Sequence, residues 1–437
     1  MQLIRKLLIS GVISFLSVFW LLGQSVVADN GDLEEYPVEE DNTPFGLINT
    51  VTAGNTAFAL DLYAQLKAAK SGNLFFSPYS ISAALAMTYA GAKGTTEAQM
   101  SEVLHFSTRQ DLFHLAFRHL RDQIKNAAQN GVELSIANAL WGQQGYSFHK
   151  EFQDILKKRY EAPLEEADFA KEYPTIHEQI NTWVEDHTRN KIKDLIPEGV
   201  LTSLTRLVLV NAIYFKGHWA NPFEEAKTKQ RPFWVTAWNS IEVPMMTQKN
   251  SFRYQEIEGL QVLELPYASP NQKRDPFEPP FSYGEENISM IVLLPEQRNG
   301  LAALENSLSS EKLEQWLERL KSQKVRVWLP KFKISTGFEL SKTLEKMGMP
   351  DAFNDNADFS GMTEQEKLYI MSIIHKAFVE VNEKGTEAAA TTAVFFATKG
   401  LSPPTPTFRA DHPFIFLIRH NLSGSILFMG RIQNPLK

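Results

Sequence analysis

The sequence predicts an α+β fold built as a single large domain, on three observations. Apolar residues recur at helical spacing through the first part of the chain. Alternating and all-apolar runs dominate the later part, and no Gly/Ser linker or internal repeat separates the two. The chain has 437 residues, 43% hydrophobic and 11% aromatic, which is enough to bury a sizeable core and excludes global disorder. The absence of cysteine excludes a disulfide framework, thiolate catalysis and zinc ribbons. A net charge of −7 argues against a nucleic-acid partner.

At the N-terminus, Arg5 and Lys6 precede the apolar run Leu7 to Gly23 and then Val26-Val27-Ala28, the pattern of a signal peptide over 1–28. The run is no longer than a minimal spanning helix and no basic flank follows, so no membrane association is expected after its removal. The expected location is therefore extracellular, or periplasmic in a bacterium. Asp29, Asp32, Glu34, Glu35, Glu39, Glu40 and Asp41 load the stretch 29–45 with acids and no base, which reads as a disordered acidic leader. The folded domain is then 46–437.

Within it, Ser77-Pro78 reads as an N-cap and first-turn proline, opening a helix through Leu85, Met87 and Tyr89 that Gly91 ends. Thr96-x-x-Gln99 reads as a capping box for the next helix. Leu112, Leu115, Ala116, Leu120 and Ile124 predict another, and apolar positions within 152–160 and 176–187 two more. Leu207 to Phe215 is apolar around a single Asn211, as expected of a strand covered on both faces. Ile288 to Leu294 is a second buried run. Lys324 to Ile334 alternates like a half-exposed strand, and Phe414–Ile418 with Ile426–Met429 form a hairpin through Asn421-Leu-Ser-Gly424.

Enzyme signatures fail one by one. No G-x-S-x-G elbow, P-loop or G-x-G-x-x-G occurs, and His177-Glu178 lacks the second histidine of a zinc-protease helix. The ten histidines show no metal-ligand spacing, so neither catalysis nor a metal or cofactor is expected. The informative stretch is 383–406. Thr386, Ala388, Ala390, Thr392 and Val394 form a period-2 face that is small or β-branched and uncharged. Such a segment can enter a packed sheet, although its alanine content also suits a helix or a flexible loop. Lys399-Gly400 is a trypsin-like cleavage point, and Pro403, Pro404 and Pro406 keep the following residues extended.

At these residues the chain resembles the serpin family over roughly 46–437. The resemblance rests on Asn73-Leu-Phe-Phe-Ser-Pro-Tyr-Ser80, on Leu209-Val-Asn-Ala-Ile-Tyr-Phe-Lys-Gly-His-Trp219 with Phe223, and on the run from His375 to Ala390. It continues in Phe408-Arg-Ala-Asp-His-Pro-Phe-Ile-Phe-Leu417 and Phe428-Met-Gly430. It implies about eight or nine helices, three β-sheets and an exposed reactive-centre loop over about 383–407. It also implies suicide inhibition of serine proteases, in which the cut loop inserts into the central sheet while the protease remains bound as an acyl-enzyme.

By the family's counting, Glu383 anchors the hinge and Lys399-Gly400 is the reactive bond, with Thr398 and Phe396 as competing positions. Gly385, Thr386, Glu387, Ala388, Ala389 and Ala390 complete the hinge. Ser77, Ser80, Asn211 and His375 match the polar shutter beneath the sheet, and Trp219 matches the breach where the loop enters; ordinary readings are a cap and satisfied core polar groups. The expected partner is a trypsin-like serine protease acting on a monomer. The rival is a non-inhibitory carrier or chaperone-like binder, against which the small hinge residues argue. Arg118, Arg121 and Lys125, with His119, share a helical face that suggests weak polyanion binding, though Asp122 among them favours a solvated surface. Asn287 and Asn421 are candidate glycosylation acceptors.

Overall fold

Helix α1 (Pro44–Ala69) opens the computed structural model, which describes residues 44–128, 131–162, 164–268, 288–365, 367–385 and 404–437. Strand β1 (Leu74–Phe76) leads to Ser77, whose extended backbone and side chain cap α2 (Pro78–Tyr89) as expected, accepting the Ser80 N–H at 3.1 Å. All twelve residues of α2 are buried, so this helix lies inside the molecule. Gly91 does not end it by a left-handed turn. Gly91 is there for space, because a Cβ would stand 2.2 Å from Met362 Cγ. The capping-box expectation also fails: α3 (Gly94–Val103) begins before Thr96. Thr96 and Gln99 instead reach the 350–358 chain, accepting the Asp358 N–H at 2.9 Å and exchanging two bonds with Asp351.

Helix α4 (Gln110–Ala127) buries Phe113, Ala116, Phe117, Leu120 and Ile124, a face turned slightly from the expected one, leaving Leu115 half-buried. Strand β2 (Val132–Gln143) follows, then α5 (Lys150–Ile155) with a π turn over Leu156–Tyr160, β3 (Leu164–Ala167) and α6 (Phe169–His187). Strand β4 (Leu207–Gly217) is buried at every residue but Lys216, as its sequence predicts. Next come β5 (Lys229–Trp234), β6 (Ser240–Ile257), β7 (Leu260–Pro266), β8 (Ile288–Pro295), α7 (Leu301–Ser307) and α8 (Ser310–Glu318).

The expected single strand 324–334 is two. Strand β9 (Lys321–Pro330) stops at a proline that has no N–H to donate, and β10 (Phe332–Glu339) continues in the other sheet. Helix α9 (Ser341–Met347), β11 (Ile373–Val381), β12 (Thr407–Arg409), β13 (Phe414–His420) and β14 (Ile426–Ile432) complete the order. The last two pair antiparallel as the expected hairpin.

Nine α-helices and two hydrogen-bonded sheets occur among the described residues, not three sheets. The 18-residue β6 pairs with β5, β9 and β7 in turn, joining what would be two sheets into one nine-stranded array. The other sheet has the order β10-β11-β4-β2-β3. At its centre β4 and β11 pair parallel, from Leu209 opposite Ile373 to Tyr214 opposite Phe378. One face of β4 (Val208, Val210, Ala212, Tyr214) packs on Ile176, Ile180 and Val184 of α6. The other (Leu209, Ile213, Phe215) belongs to the main core.

Candidate functional site: a polar seam and a pinned hinge

Asn211 is the one polar side chain on the core face of β4, and register places it opposite His375 across the parallel seam. Its Oδ1 accepts from His375 Nδ1, and its Nδ2 donates to the Ser80 carbonyl at 2.8 Å and to Asn138 Oδ1 at 2.6 Å. The other imidazole nitrogen, Nε2, accepts the Ser77 N–H at 3.1 Å. Ser77 Oγ donates to the Leu427 carbonyl at 2.6 Å, tying the cluster to β14. One nitrogen donates and one accepts, so the network requires a neutral His375. Burial alone lowers that imidazole to about 3, because an unpartnered cation there would be desolvated. The four residues expected to form the shutter, Ser77, Ser80, Asn211 and His375, are thus brought together, all fully buried.

Asn138 was missed by the sequence reading. It sits on β2 opposite Asn211, accepts from Ser80 Oγ at 3.3 Å and bridges three elements. The available signal was a lone asparagine in Ile136-Ala-Asn-Ala-Leu140. A single polar residue inside an apolar strand asks for a buried partner.

Above the seam the chain leaving β11 turns back. Trp219 Nε1 donates to the Asn382 carbonyl at 3.0 Å, its backbone N–H donates to Lys384, and the Phe223 N–H donates to Glu383 at 2.7 Å. The indole stacks on Tyr267 with centroids 4.7 Å apart. Glu383 is 5% exposed and its carboxylate holds Lys331 Nζ at 2.7 Å and the Thr228 hydroxyl at 2.8 Å. Burial by itself would raise this carboxyl; Lys331, a backbone N–H and Thr228 together keep it below its usual range. Gly385 closes the turn, bridging His218 and Asn382 with φ 121°. Glu383, Gly385 and Trp219 therefore meet, whereas Thr386, Glu387, Ala388, Ala389, Ala390, Lys399, Gly400 and the alternatives Thr398 and Phe396 lie outside the described residues.

The basic face of α4 is not free. Arg118 faces Asp122 at 3.6 Å, Arg121 reaches Asp122 and Glu161, and Lys125 pairs with Glu161 at 2.8 Å. Asn421 accepts from Ser289 Oγ through Oδ1 and donates Nδ2 to Glu264, so a glycan on Nδ2 would compete with the second bond, while Asn287 lies outside the described residues. No group of metal-ligating side chains occurs among the described residues.

The family model described as Serpin (serine protease inhibitor) matches residues 53–435. Human serpin B3 is 40% identical, covering 89% of this chain and 100% of its own. The leukocyte elastase inhibitor of Sus scrofa is 42% identical over 88% and 99%. Among solved structures, human thyroxine-binding globulin complexed with thyroxine superposes with a TM-score of 0.77 at 32% identity, over 90% of this chain and 100% of that one. Serpin B3 and the leukocyte elastase inhibitor point against secretion, so the extracellular or periplasmic location is corrected; it rested on 1–28, outside the described residues. Relatives named as protease inhibitors, a family match across almost all of the folded chain and the same α+β architecture agree: this chain belongs to the serpin family.

Proposed function

We propose that the chain is a suicide-substrate inhibitor of trypsin-like serine proteases, cut at Lys399-Gly400. The observation that carries this reading is the seam. Two parallel neighbours, β4 and β11, are bonded along only six residue pairs, and β11 ends in a turn that sends the chain back toward them. A segment inserted between them from Gly385 would run antiparallel to both, which is the direction that forms full ladders on either side. In the proposed reaction the protease serine oxygen attacks the Lys399 carbonyl, the bond to Gly400 breaks, and Gly400 leaves as the new amine. Insertion of 386–398 then carries the ester-linked protease away before water completes hydrolysis.

The energetics favour that order. Opening the seam exposes a few ladder bonds and the His375–Asn211 contact. Insertion replaces them with two antiparallel ladders, a net gain on the order of 10 kcal/mol at roughly 1 kcal/mol per bond. A mixture with trypsin, run on a denaturing gel, should show a stable adduct, and mass spectrometry a C-terminal peptide beginning at Gly400. Lys399→Ala should lose the adduct and keep the fold; an unchanged adduct would move the bond.

The second reading is a carrier, and the likeness to thyroxine-binding globulin is what favours it. Heating separates the two. An inhibitor cut at Lys399 should unfold at a far higher temperature than the intact chain, whereas a carrier whose loop stays outside should not change.

A further inference from the structure

Strand β12 has three residues and, among the described residues, pairs on one side only, with β9. It follows directly on 404–406, so it is where the 383–406 segment rejoins the folded body. Three ladder pairs are a weak anchor, and the chain just beyond adds further ties. The Ala410 N–H donates to the Trp328 carbonyl at 2.9 Å, and the Trp234 N–H to the Asp411 carbonyl at 2.7 Å. The last tie is the buried His412. Its Nδ1 stands 2.8 Å from Asp411 Oδ1, and its Nε2 stands 2.7 Å from the Pro295 carbonyl oxygen at the end of β8. The ring does what the ladder cannot. Continuing the β13–β8 register by two residues sets Pro413 opposite Pro295, and proline has no N–H to give.

Both partners of this ring are acceptors. A carbonyl oxygen never donates, so Nε2 carries a proton. A second proton must lie between Nδ1 and Asp411, and a carboxylic acid gives up its proton far more readily than an imidazolium, so the ring holds it. Asp411 also shares a cavity with Arg231 and Arg409, whose charges stabilise it as an anion. Those two arginines, and Arg298 at 3.8 Å over the Trp234 ring, oppose a cation on His412, whereas Asp411 and Glu296, next to Pro295, favour one. Of these charges Asp411 is the one in direct hydrogen-bond contact, so it prevails. The contrast with His375 is chemical: that ring faces one donor and one acceptor and carries one proton.

We propose that His412 is a doubly protonated latch that pins β12 to β8, and that loss of one ring proton as pH rises frees the anchor of the 383–406 segment. A neutral ring turns a lone pair toward an acceptor, so the latch is closed at low pH and opens at high pH. Its use alone rests on the inhibitor reading: it keeps the chain beyond the cut bond fastened while 386–398 travels.

The test reads the full chain without a protease, so its failure is separate from failure of the inhibitor reading. One hydrogen bond moves the thermal midpoint of a 437-residue chain little, so β12 is read locally. Nitrogen-15 NMR at about pH 7.5, where a free imidazole is mostly neutral, should show both His412 ring nitrogens protonated, with His412→Gln identifying the resonances. Hydrogen exchange of 407–411, corrected for its intrinsic pH dependence, should lose roughly tenfold or more of its protection between about pH 6 and 9, as expected for one charge-assisted bond. His412→Gln should start with the weakened protection and show no pH dependence. His412→Arg, a permanent cation with several donors, should stay protected across the range, and the glutamine variant carries the test if the arginine does not fold. An unprotonated ring nitrogen at about pH 7.5, protection that ignores pH in the unmodified chain, or a glutamine variant that exchanges like it would overturn the proposal.

Discussion

Gly385 holds a φ of 121° while its Cα presses on the backbone of β4's end, where a Cβ would lie 2.2 Å from the Gly217 carbonyl oxygen. Both constraints admit only glycine. Gly385→Ala should therefore release the turn, lowering the thermal midpoint by several degrees and removing the protection of the Trp219 amide in hydrogen exchange. The seam cluster makes a second residue-scale demand. Asn211→Ala strips partners from His375 and Ser80, both fully buried, and from the half-buried Asn138. Each orphaned group costs about 1–3 kcal/mol, so a urea midpoint shift equivalent to at least 2 kcal/mol is expected. Asn211→Asp should be worse, because a carboxylate beside a neutral imidazole would be desolvated with no cation to meet it.

Among elements, the decisive one is the β4–β11 pair. A parallel pair at the centre of a sheet usually receives its crossover from one strand to the other, but here some 155 residues separate them, with α7, α8, α9 and strands of both sheets among them. The pair is held by six backbone pairings, the His375–Asn211 bond and packing on α2 and α6. Under the proposed mechanism the entering segment buries Thr386 first. Thr386→Arg should turn the inhibitor into a substrate, since a charge would have to be carried into the sheet. Stable adduct at unchanged stoichiometry would show that Thr386 does not face inward. The elements themselves were largely legible. β4 and the β13–β14 hairpin read directly from apolar runs. The break at Pro330 and the start of α3 at Gly94 did not, because tertiary partners decided them: Pro244 receives the Lys331 N–H, and the 350–358 chain takes up Thr96 and Gln99.

For the whole molecule, pH is the sharpest probe. His114, His375 and His420 are held by burial at about 3, 3 and 4, below their ordinary 6.5. Between those limits the unfolded chain binds protons that the native chain refuses. Stability from these groups is complete above pH 6.5 and drains away as pH falls toward 3. Glu383 acts in the same direction over a lower window, beginning near its ordinary 4.5, since its clamp keeps it ionised when native. The thermal midpoint should therefore be flat near neutrality and fall progressively below pH 6.5. His375→Asn should flatten the upper part of that fall; an unaltered profile would mean that this imidazole is not the titrating group.

The sequence by itself determined the class of fold, the buried strand around Asn211, the cap at Ser77 and the family motifs, since each depends on local periodicity or on a short run of residues. It also offered Lys399-Gly400 as a candidate cleavage point and the small-residue face of 386–394. Only the tertiary structure decided that Asn211 meets His375 across a parallel seam, that Asn138 joins them, and that Glu383 is clamped by Lys331. Likewise it alone brought Glu161 to Arg121 and Lys125. Hydrogen bonds and ion pairs act over about 3 Å between residues 36 to 164 positions apart, so their partners exist only once the chain has been brought together.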